Sequence, residues 1–581
     1  MSRVLLRAAW VLLLWALLVV PVLAAPFVPE QPVVPLDNLR PGMRGHMLTV
    51  LKGAKPARLP VQIVDMVPQR GTVKNHILLR LLPSSENGNP RLSQGMSGSP
   101  VYVGGRLAGA VSAGWDFSDH TLALATPIEE MCDVFSYPDK PVGLGLTRSV
   151  KNRPALSLPL SMGGLSRRAA AGLEARLRVP VEVKPYGASG ELPLSSARFL
   201  PGETISVLLV WGDVEMTSAG TVTATSKDGR FLAFGHSFLG RGAVNFPVAR
   251  ARVHETVVSR AFPHKIASPM SLAGTATQDR TAGVGGRMGY FTPSIAASFV
   301  FRDSDVPGLP VVRKFRVAPD AYLGAGLLEG IYEGLFDDQW NRVGQGTVTV
   351  TLRVEARGLE QGWTRTNVFF SDSDLSGSAL KESSAIIAGV LTQAYQEVFP
   401  IGFNLDVTVT QEPKVLYIED VTVSQDARPG DVLSVQVSLR PWRRQPIQRR
   451  LKVIVPKEAT GICELVVRGG GTNPFGQIAV EGGWKAINGF DRMLMEFSAA
   501  DANNELIVEL FHDQVDSKSR KDGKKSVAEL LPEEKEFLSE TKARRIKEGT
   551  LRVLRSEYVV EGMMKRLINL GEDAGKDGAE K

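Results

Sequence analysis

At 581 residues the chain is too long for one hydrophobic core, and three or four domains of ~100–200 residues are expected. Hydrophobic residues at 43% and charged residues at 22% exclude a disordered polymer, and a formal net charge of +7 without any nucleic-acid-binding motif gives no support to a nucleic-acid partner. Fifty-seven glycines and 36 prolines place turns throughout and favour β architecture.

Residues 1–24 read as a secretory signal peptide. Arg3 and Arg7 form a basic start, Ala8 to Val20 an apolar run, Pro21 a break, and small residues precede a cut after Ala24. An uncleaved membrane anchor is the alternative, although the run is short for a ~20-residue span. Removal takes away Arg3 and Arg7 and no acid, which lowers +7 to +5. No later segment is long and apolar enough to cross a bilayer. The expectation is a periplasmic or otherwise exported chain with no membrane span after signal removal.

Residues 30–142 carry about six short β-rich runs, among them Gly45–Leu51, Arg58–Val67, Asn75–Leu82, Ser99–Gly105 and Arg106–Trp115, and close on a short helix near "IEEMCDVF". Six strands in this length suit a small closed barrel. Residues 143–185 read as a linker with a short helix in "SRRAAAGLEARLRV". Strand signals return over 186–320, a second set of similar size. Residues 321–410 mix strand and helix, with apolar residues at three- and four-residue spacing predicting a helix over Ser378–Phe399, capped by Ser376 or Ser378. Over 411–515 the alternation of Leu433, Val435, Val437 and Leu439 predicts an immunoglobulin-like β-sandwich. Residues 516–581 read as a charged helical tail with a basic loop, "SKSRKDGKK", and a helix in "PEEKEFLSETKARRIKEG". The fold class is therefore mainly β.

Cys132 and Cys463 are the two cysteines, and sequence does not show whether they meet. The seven histidines have no ligand-like spacing, so neither a metal nor a cofactor is expected.

The stretch "LSQGMSGSPV", Leu92 to Val101, has the composition of a serine nucleophile loop. Glycines beside a serine permit a backbone tight enough to turn N–H groups toward a developing oxyanion, here those of Gly95 and Ser97. A serine also needs a base within reach and a partner that orients the base. Ser99 is the weaker nucleophile, since Pro100 follows it directly. On composition alone an ordinary Gly-Ser-Pro turn is the favoured reading of this stretch, and resemblance is what shifts it.

"GMSGSP" resembles the serine-site hexapeptide of chymotrypsin-like proteases and is closer to that of the SpoIVB-type serine peptidase family (stage IV sporulation protein B). "RPGMRGHMLTVLKGAKPARLPVQIVDMV" and "QGMSGSPVYVGGRLAGAVSAGW" resemble that family's strands before and after the serine, and "TPIEEM" its closing helix. Ala219 to Ala249 resembles its histidine segment, which assigns His236 as the base, and "GTATQDRTAGVGGRMG" the Gly-rich stretch beyond. The resemblance covers about 40% of the chain and implies a chymotrypsin-like double β-barrel.

The chain departs from the pattern in two ways. The histidine block precedes the serine block in the sporulation member and follows it here, which is tolerable because triads recur in unrelated chain orders. The aspartate upstream of the serine falls on Leu82. In chymotrypsin-like folds the acid follows the histidine, which points to Asp279, with a salt bridge to Arg280 or another arginine as the alternative role; Asp228 and Glu255 are weaker candidates. Met96 stands where trypsin-like enzymes carry the aspartate used in zymogen activation, so that route is closed.

Two readings follow. One is an exported serine endopeptidase acting on a protein substrate in the cell envelope, regulatory or self-cleaving, with Ser97, His236 and Asp279 catalytic and Gly95 and Ser97 forming the oxyanion hole. The other is a non-catalytic envelope scaffold on a peptidase fold, whose β-sandwich binds an envelope partner. The family's peptide-binding PDZ module is not recognisable in this chain.

Overall fold

The computed structural model describes residues 26–115, 117–140, 143–144, 160–184, 188, 190–261, 263–472, 489–512 and 537–571. The expected signal peptide and the basic loop "SKSRKDGKK" lie outside the described residues. The chain is mainly β and forms two compact units: Met1–Gly164 with Val179–Pro293 and Ala318–Asp320, and Leu165–Arg178 with Ser294–Val317 and Ala321–Lys581.

The first unit holds the motifs. Its first six strands are β1 (Arg44–Thr49), β2 (Ala57–Pro68), β3 (Asn75–Leu81), β4 (Pro100–Val103), β5 (Arg106–Ala113) and β6 (Leu122–Pro127). They close an antiparallel barrel in the order β1-β2-β3-β6-β5-β4. Alternation drives the closure: Leu59, Val61 and Ile63 of β2 and Ile77, Leu79 and Leu81 of β3 bury every second side chain in one core. Each such side chain contributes roughly 1.5–3 kcal/mol on leaving water. The helix α1 (Ile128–Cys132) continues as a 3-10 turn to Ser136, as its sequence predicts.

After the short pair β7 (Leu160–Gly163) and β8 (Val181–Val183) come β9 (Thr204–Gly212), β10 (Glu215–Thr225), β11 (Arg230–Ala233), β12 (Gly242–Val257), β13 (His264–Arg280) and β14 (Gly283–Met288). These six pair in the order β9-β12-β13-β14-β11-β10, and a β9–β10 pairing closes the ring. The second ring thus ends at β14, and residues 294–317 cluster with the other unit.

The two rings meet over a shared apolar layer. Tyr102, Leu107, Ala110, Ile128, Met131 and Phe135 face Ala224, Leu232 and Ala282 there. The segment just after the expected signal cut straps the rings together. Phe27 stacks on Phe135 at 5.2 Å between centroids, the Glu30 N–H donates to the Thr225 carbonyl in the second ring, and in the first ring the Leu107 carbonyl accepts the Val34 N–H while the Leu107 N–H donates to the Pro32 carbonyl. The Arg230 guanidinium covers both phenyl rings and donates to the Pro26 carbonyl.

In the second unit, the short helix expected in the alanine-rich stretch is α2 (Arg167–Leu177); Ser166 caps it, and its Leu173 and Ala169 pack on Gly330 and Gly334 of α3 (Ala321–Trp340). A sheet of β15 (Ile295–Asp303), β16 (Val311–Val317), β17 (Gly346–Ala356), β18 (Trp363–Ser371) and β19 (Ile401–Thr410) lies in this unit. The helix expected over Ser378–Phe399 is two helices, α4 (Leu375–Ala379) and α5 (Lys381–Thr392). Asp374 caps the first, in place of the expected serines, and extended backbone at Gln393 ends the second.

The expected β-sandwich is present and longer than 411–515. One sheet contains β20 (Val415–Thr422), β22 (Val432–Pro441), β23 (Ile447–Ile454) and β27 (Val559–Glu561). The other contains β21 (Asp426–Ala427), β24 (Ile462–Gly469), β25 (Glu505–His512), β26 (Leu551–Arg555) and β28 (Met563–Leu570). Leu433, Val435, Val437 and Leu439 share the buried face, opposite Leu465, Val467 and Val508. The tail is therefore not only helical: after α6 (Phe490–Ala499) and α7 (Leu538–Glu548), residues 551–570 return three strands to the sandwich. Cys132 and Cys463 are free thiols, and burial pushes them up to about 12 and about 11.

Candidate functional site

Ser97 lies in the loop that enters β4, and His236 in the loop between β11 and β12. Two glycines bring the loops together. Gly98, at φ +92°, presses so closely on the second ring that a Cβ there would stand 2.0 Å from the Thr221 carbonyl oxygen and 2.3 Å from the Phe234 nitrogen. Gly235, at φ +67°, packs on the Val111 carbonyl, where a Cβ would stand 2.8 Å away. The same carbonyl accepts the Gly98 N–H at 2.7 Å. The Ser97 carbonyl accepts the Thr221 N–H at 2.7 Å, and the Thr126 hydroxyl donates to the Gly235 carbonyl at 2.6 Å. Each loop is thus bonded to the other ring.

Every carbonyl from 94 to 98 is tied. That of Gln94 accepts the Lys265 N–H at 3.0 Å, and that of Gly95 accepts from Lys265 Nζ at 3.0 Å and Thr221 Oγ1 at 2.9 Å. That of Met96 accepts the Ser99 N–H at 2.9 Å, and that of Gly98 the Thr223 hydroxyl at 2.7 Å. The N–H groups of Gln94, Met96, Gly98 and Ser99 are also spent. Those of Gly95 and Ser97 alone in this run have no partner among the described residues. In a trans peptide the N–H points opposite the carbonyl, so fixing the Gln94 and Met96 carbonyls fixes the direction of the two open donors. They are the two donors named from the sequence, and such a pair can hold an anionic oxygen.

The Ser97 side chain is half-buried, and its Oγ has no hydrogen-bond partner among the described residues. Ser99 is fully buried, and its Oγ is unbonded as well. Exposure therefore favours Ser97 as the group a substrate could reach.

Phe234 holds a left-handed backbone at φ +71°, at a cost of order 1–3 kcal/mol, and its buried ring lies edge-on to the His236 ring at 6.3 Å. The His236 Nδ1 lies 2.7 Å from the Ser237 carbonyl oxygen, which assigns the proton to Nδ1 and leaves Nε2 with its lone pair. Burial lowers the pKa of the ring, opposed by that bond, so the imidazole is neutral near pH 7. Ser97 and His236 are not hydrogen-bonded to each other in this structure.

Asp279 is not the orienting acid that the sequence order suggests. Its fully buried carboxylate accepts three backbone N–H groups beyond the histidine: Phe238 at 2.7 Å, Leu239 at 2.8 Å and Arg241 at 3.0 Å. Burial pushes its pKa up against the pull of those bonds and of the Arg241 guanidinium. The Arg280 guanidinium lies over the Tyr137 ring and bonds Gln278, so the alternative role as a salt bridge to Arg280 is not formed either. Asp228 bonds Ser226 and Arg230 in its hairpin turn, and exposed Glu255 pairs with Lys52. No carboxylate reaches the His236 ring among the described residues. The sequence reading also missed Lys265, buried against the serine loop, and Thr221, which bonds it twice.

No family model matches the chain, nor does any curated protein or solved structure.

Proposed function

We propose that the chain is an exported serine endopeptidase of the SpoIVB type that cleaves a protein substrate in the cell envelope, in a regulatory or self-cleaving role. The observation that carries this reading is the pair of open N–H groups on Gly95 and Ser97, in a loop whose carbonyls are otherwise all tied. Ser97 Oγ attacks the scissile carbonyl and passes its proton to His236 Nε2, while the new oxyanion accepts from the two N–H groups. His236 then protonates the leaving amine, and water activated by the same nitrogen releases the acyl group from Ser97. The Ser237 carbonyl keeps the ring in the correct tautomer. A neutral carbonyl compensates the imidazolium less than a carboxylate does, and loss of the triad acid costs up to ~10⁴-fold in turnover. The reading therefore implies a slow enzyme, suited to few cleavages.

The second reading, a non-catalytic scaffold that engages an envelope partner through its β-sandwich, is favoured by one observation. Among the described residues no carboxylate reaches His236, and its ring is not bonded to Ser97. Incubation of the exported chain with an unfolded protein separates the two. Cleavage by the wild type that is lost in Ser97→Ala and His236→Ala supports the peptidase. Identical traces for all three proteins support the scaffold.

A further inference from the structure

Lys265 is the second residue of β13, and only 7% of its surface is exposed. Its backbone N–H holds the Gln94 carbonyl, and its Nζ donates to the Gly95 carbonyl at 3.0 Å and to Thr49 Oγ1 at 2.8 Å. Its carbon stem fills the space over Gly95, where a Cβ would stand 3.1 Å from the lysine Cδ. One residue therefore holds two successive peptide planes of the serine loop. Gly95, at φ +88°, holds a left-handed backbone that a side chain would strain, and a Cβ there would press on the lysine stem.

The ammonium has no counter-ion among the described residues. Thr49 on β1, Thr221 on β10, Thr256 opposite it on β12 and the Gln94–Gly95 backbone are all uncharged. The charged neighbours by position are engaged elsewhere, His264 with Glu182 and Glu255 with Lys52. A buried cation with no partner is costly, and a structural clamp does not need one, since a neutral side chain of this length fills the space as well. A cation does strengthen the bond to a peptide oxygen roughly twofold over a neutral donor. It also adds positive potential behind the open N–H groups in a poorly solvated site.

We propose that Lys265 is the positioning residue of the oxyanion-binding loop: its backbone N–H fixes the Gln94 carbonyl and with it the Gly95 N–H, its charged amine holds the next peptide, which links the Gly95 and Ser97 donors, through the Gly95 carbonyl, so that the two N–H groups stay aimed at the reacting oxygen, and deprotonation loosens the hold on that linking peptide. This rests on the peptidase reading above. Burial brings the Lys265 pKa down to about 7, so the hold weakens as the pH rises through neutrality.

The test follows the rate of phosphonylation of Ser97 by a fluorophosphonate from pH 5 to 9 in the wild type, Lys265→Met and Lys265→Arg, with the Gly95 amide ¹⁵N resonance followed in the unreacted protein. The expected wild-type profile rises with deprotonation of His236 and falls again above about pH 7. Lys265→Met, which keeps the unbranched stem, is expected to react about 10–100-fold more slowly at pH 6 and to lose the alkaline fall. Lys265→Arg keeps its charge and is expected to restore much of the rate with no alkaline fall. A wild-type rate that stays flat from pH 7 to 9, or a Lys265→Met rate equal to wild type at pH 6, overturns the proposal, and the wild-type profile decides alone if the methionine variant does not fold. An unreactive wild type instead defeats the peptidase reading. The ¹⁵N titration still decides Lys265 in that case: a Gly95 shift near pH 7 supports the hold, and its absence refutes it.

Discussion

The carboxylate of Asp279 accepts the backbone N–H of Phe238 at 2.7 Å, two residues beyond the histidine it was expected to orient. With the Leu239 and Arg241 N–H groups it forms a cap that shapes residues 238–241. A cap and a triad acid predict different variants. Asp279→Asn keeps one acceptor oxygen and sets an amide N–H₂ against a backbone donor, so it is expected to lower stability by about 2–4 kcal/mol. A denaturant midpoint that stays at the wild-type value, with turnover reduced ~10⁴-fold, would restore the triad role.

Gly98 carries the contact between the rings. Gly98→Ala would place a methyl 2.0 Å from the Thr221 carbonyl, and an expected loss of about 3 kcal/mol or more follows from the forced backbone shift. Ser99→Ala is the control on the same loop. It removes a buried, unbonded hydroxyl and is expected to lie within about 1 kcal/mol of wild type, with phosphonylation of Ser97 retained. Urea midpoints for the two variants check both.

The fold was more legible than the site. The alternation in Asn75–Leu81 and in Val432–Pro441 reports which face is buried, and hairpin-length turns between such strands leave few ways to close a sheet. Ser97, Gly95 and His236 stood out because glycine beside a serine or a histidine marks a special backbone, as the positive φ of Gly95, Gly98 and Gly235 shows. Asp279 meets the amides beyond the histidine and not its ring, because chain order does not say which of the two a carboxylate reaches. Lys265 left no mark in the sequence. A lysine near the start of a strand ordinarily stands in water, and only the closed second ring turns this one toward Gly95. The strands at 551–570 escaped notice because Met563–Leu570, "MMKRLINL", does not alternate apolar with polar residues, although the less exposed positions do alternate in the fold.

Stability is expected to depend on pH through Lys265. Its amine titrates at about 7 in the fold and near ~10.4 in the unfolded chain. Between those values the unfolded chain binds more protons, so this group makes stability rise with pH across the window and contributes none of that gain below about pH 7. Lys265→Met is expected to flatten the rise, as read from melting temperatures between pH 7 and pH 10. An equal rise in both proteins would place the lysine in water.

Phe27 stacks on Phe135, and the Arg230 guanidinium lies over both rings, in the strap that joins the two barrels. Phe27→Ala is expected to cost about 3 kcal/mol in denaturant unfolding. It is also expected to slow phosphonylation of Ser97, because the loop donors and the base sit on different rings. Unchanged phosphonylation at reduced stability would show that the strap does not support the site.

Intact-mass and peptide analysis after treatment with a fluorophosphonate tests the central claim most directly. The account predicts a single phosphonyl adduct on the peptide that contains Ser97, absent in Ser97→Ala and formed at least about 10²-fold more slowly in His236→Ala. A wild-type protein that remains unmodified at Ser97, or an adduct that persists in Ser97→Ala, would contradict it.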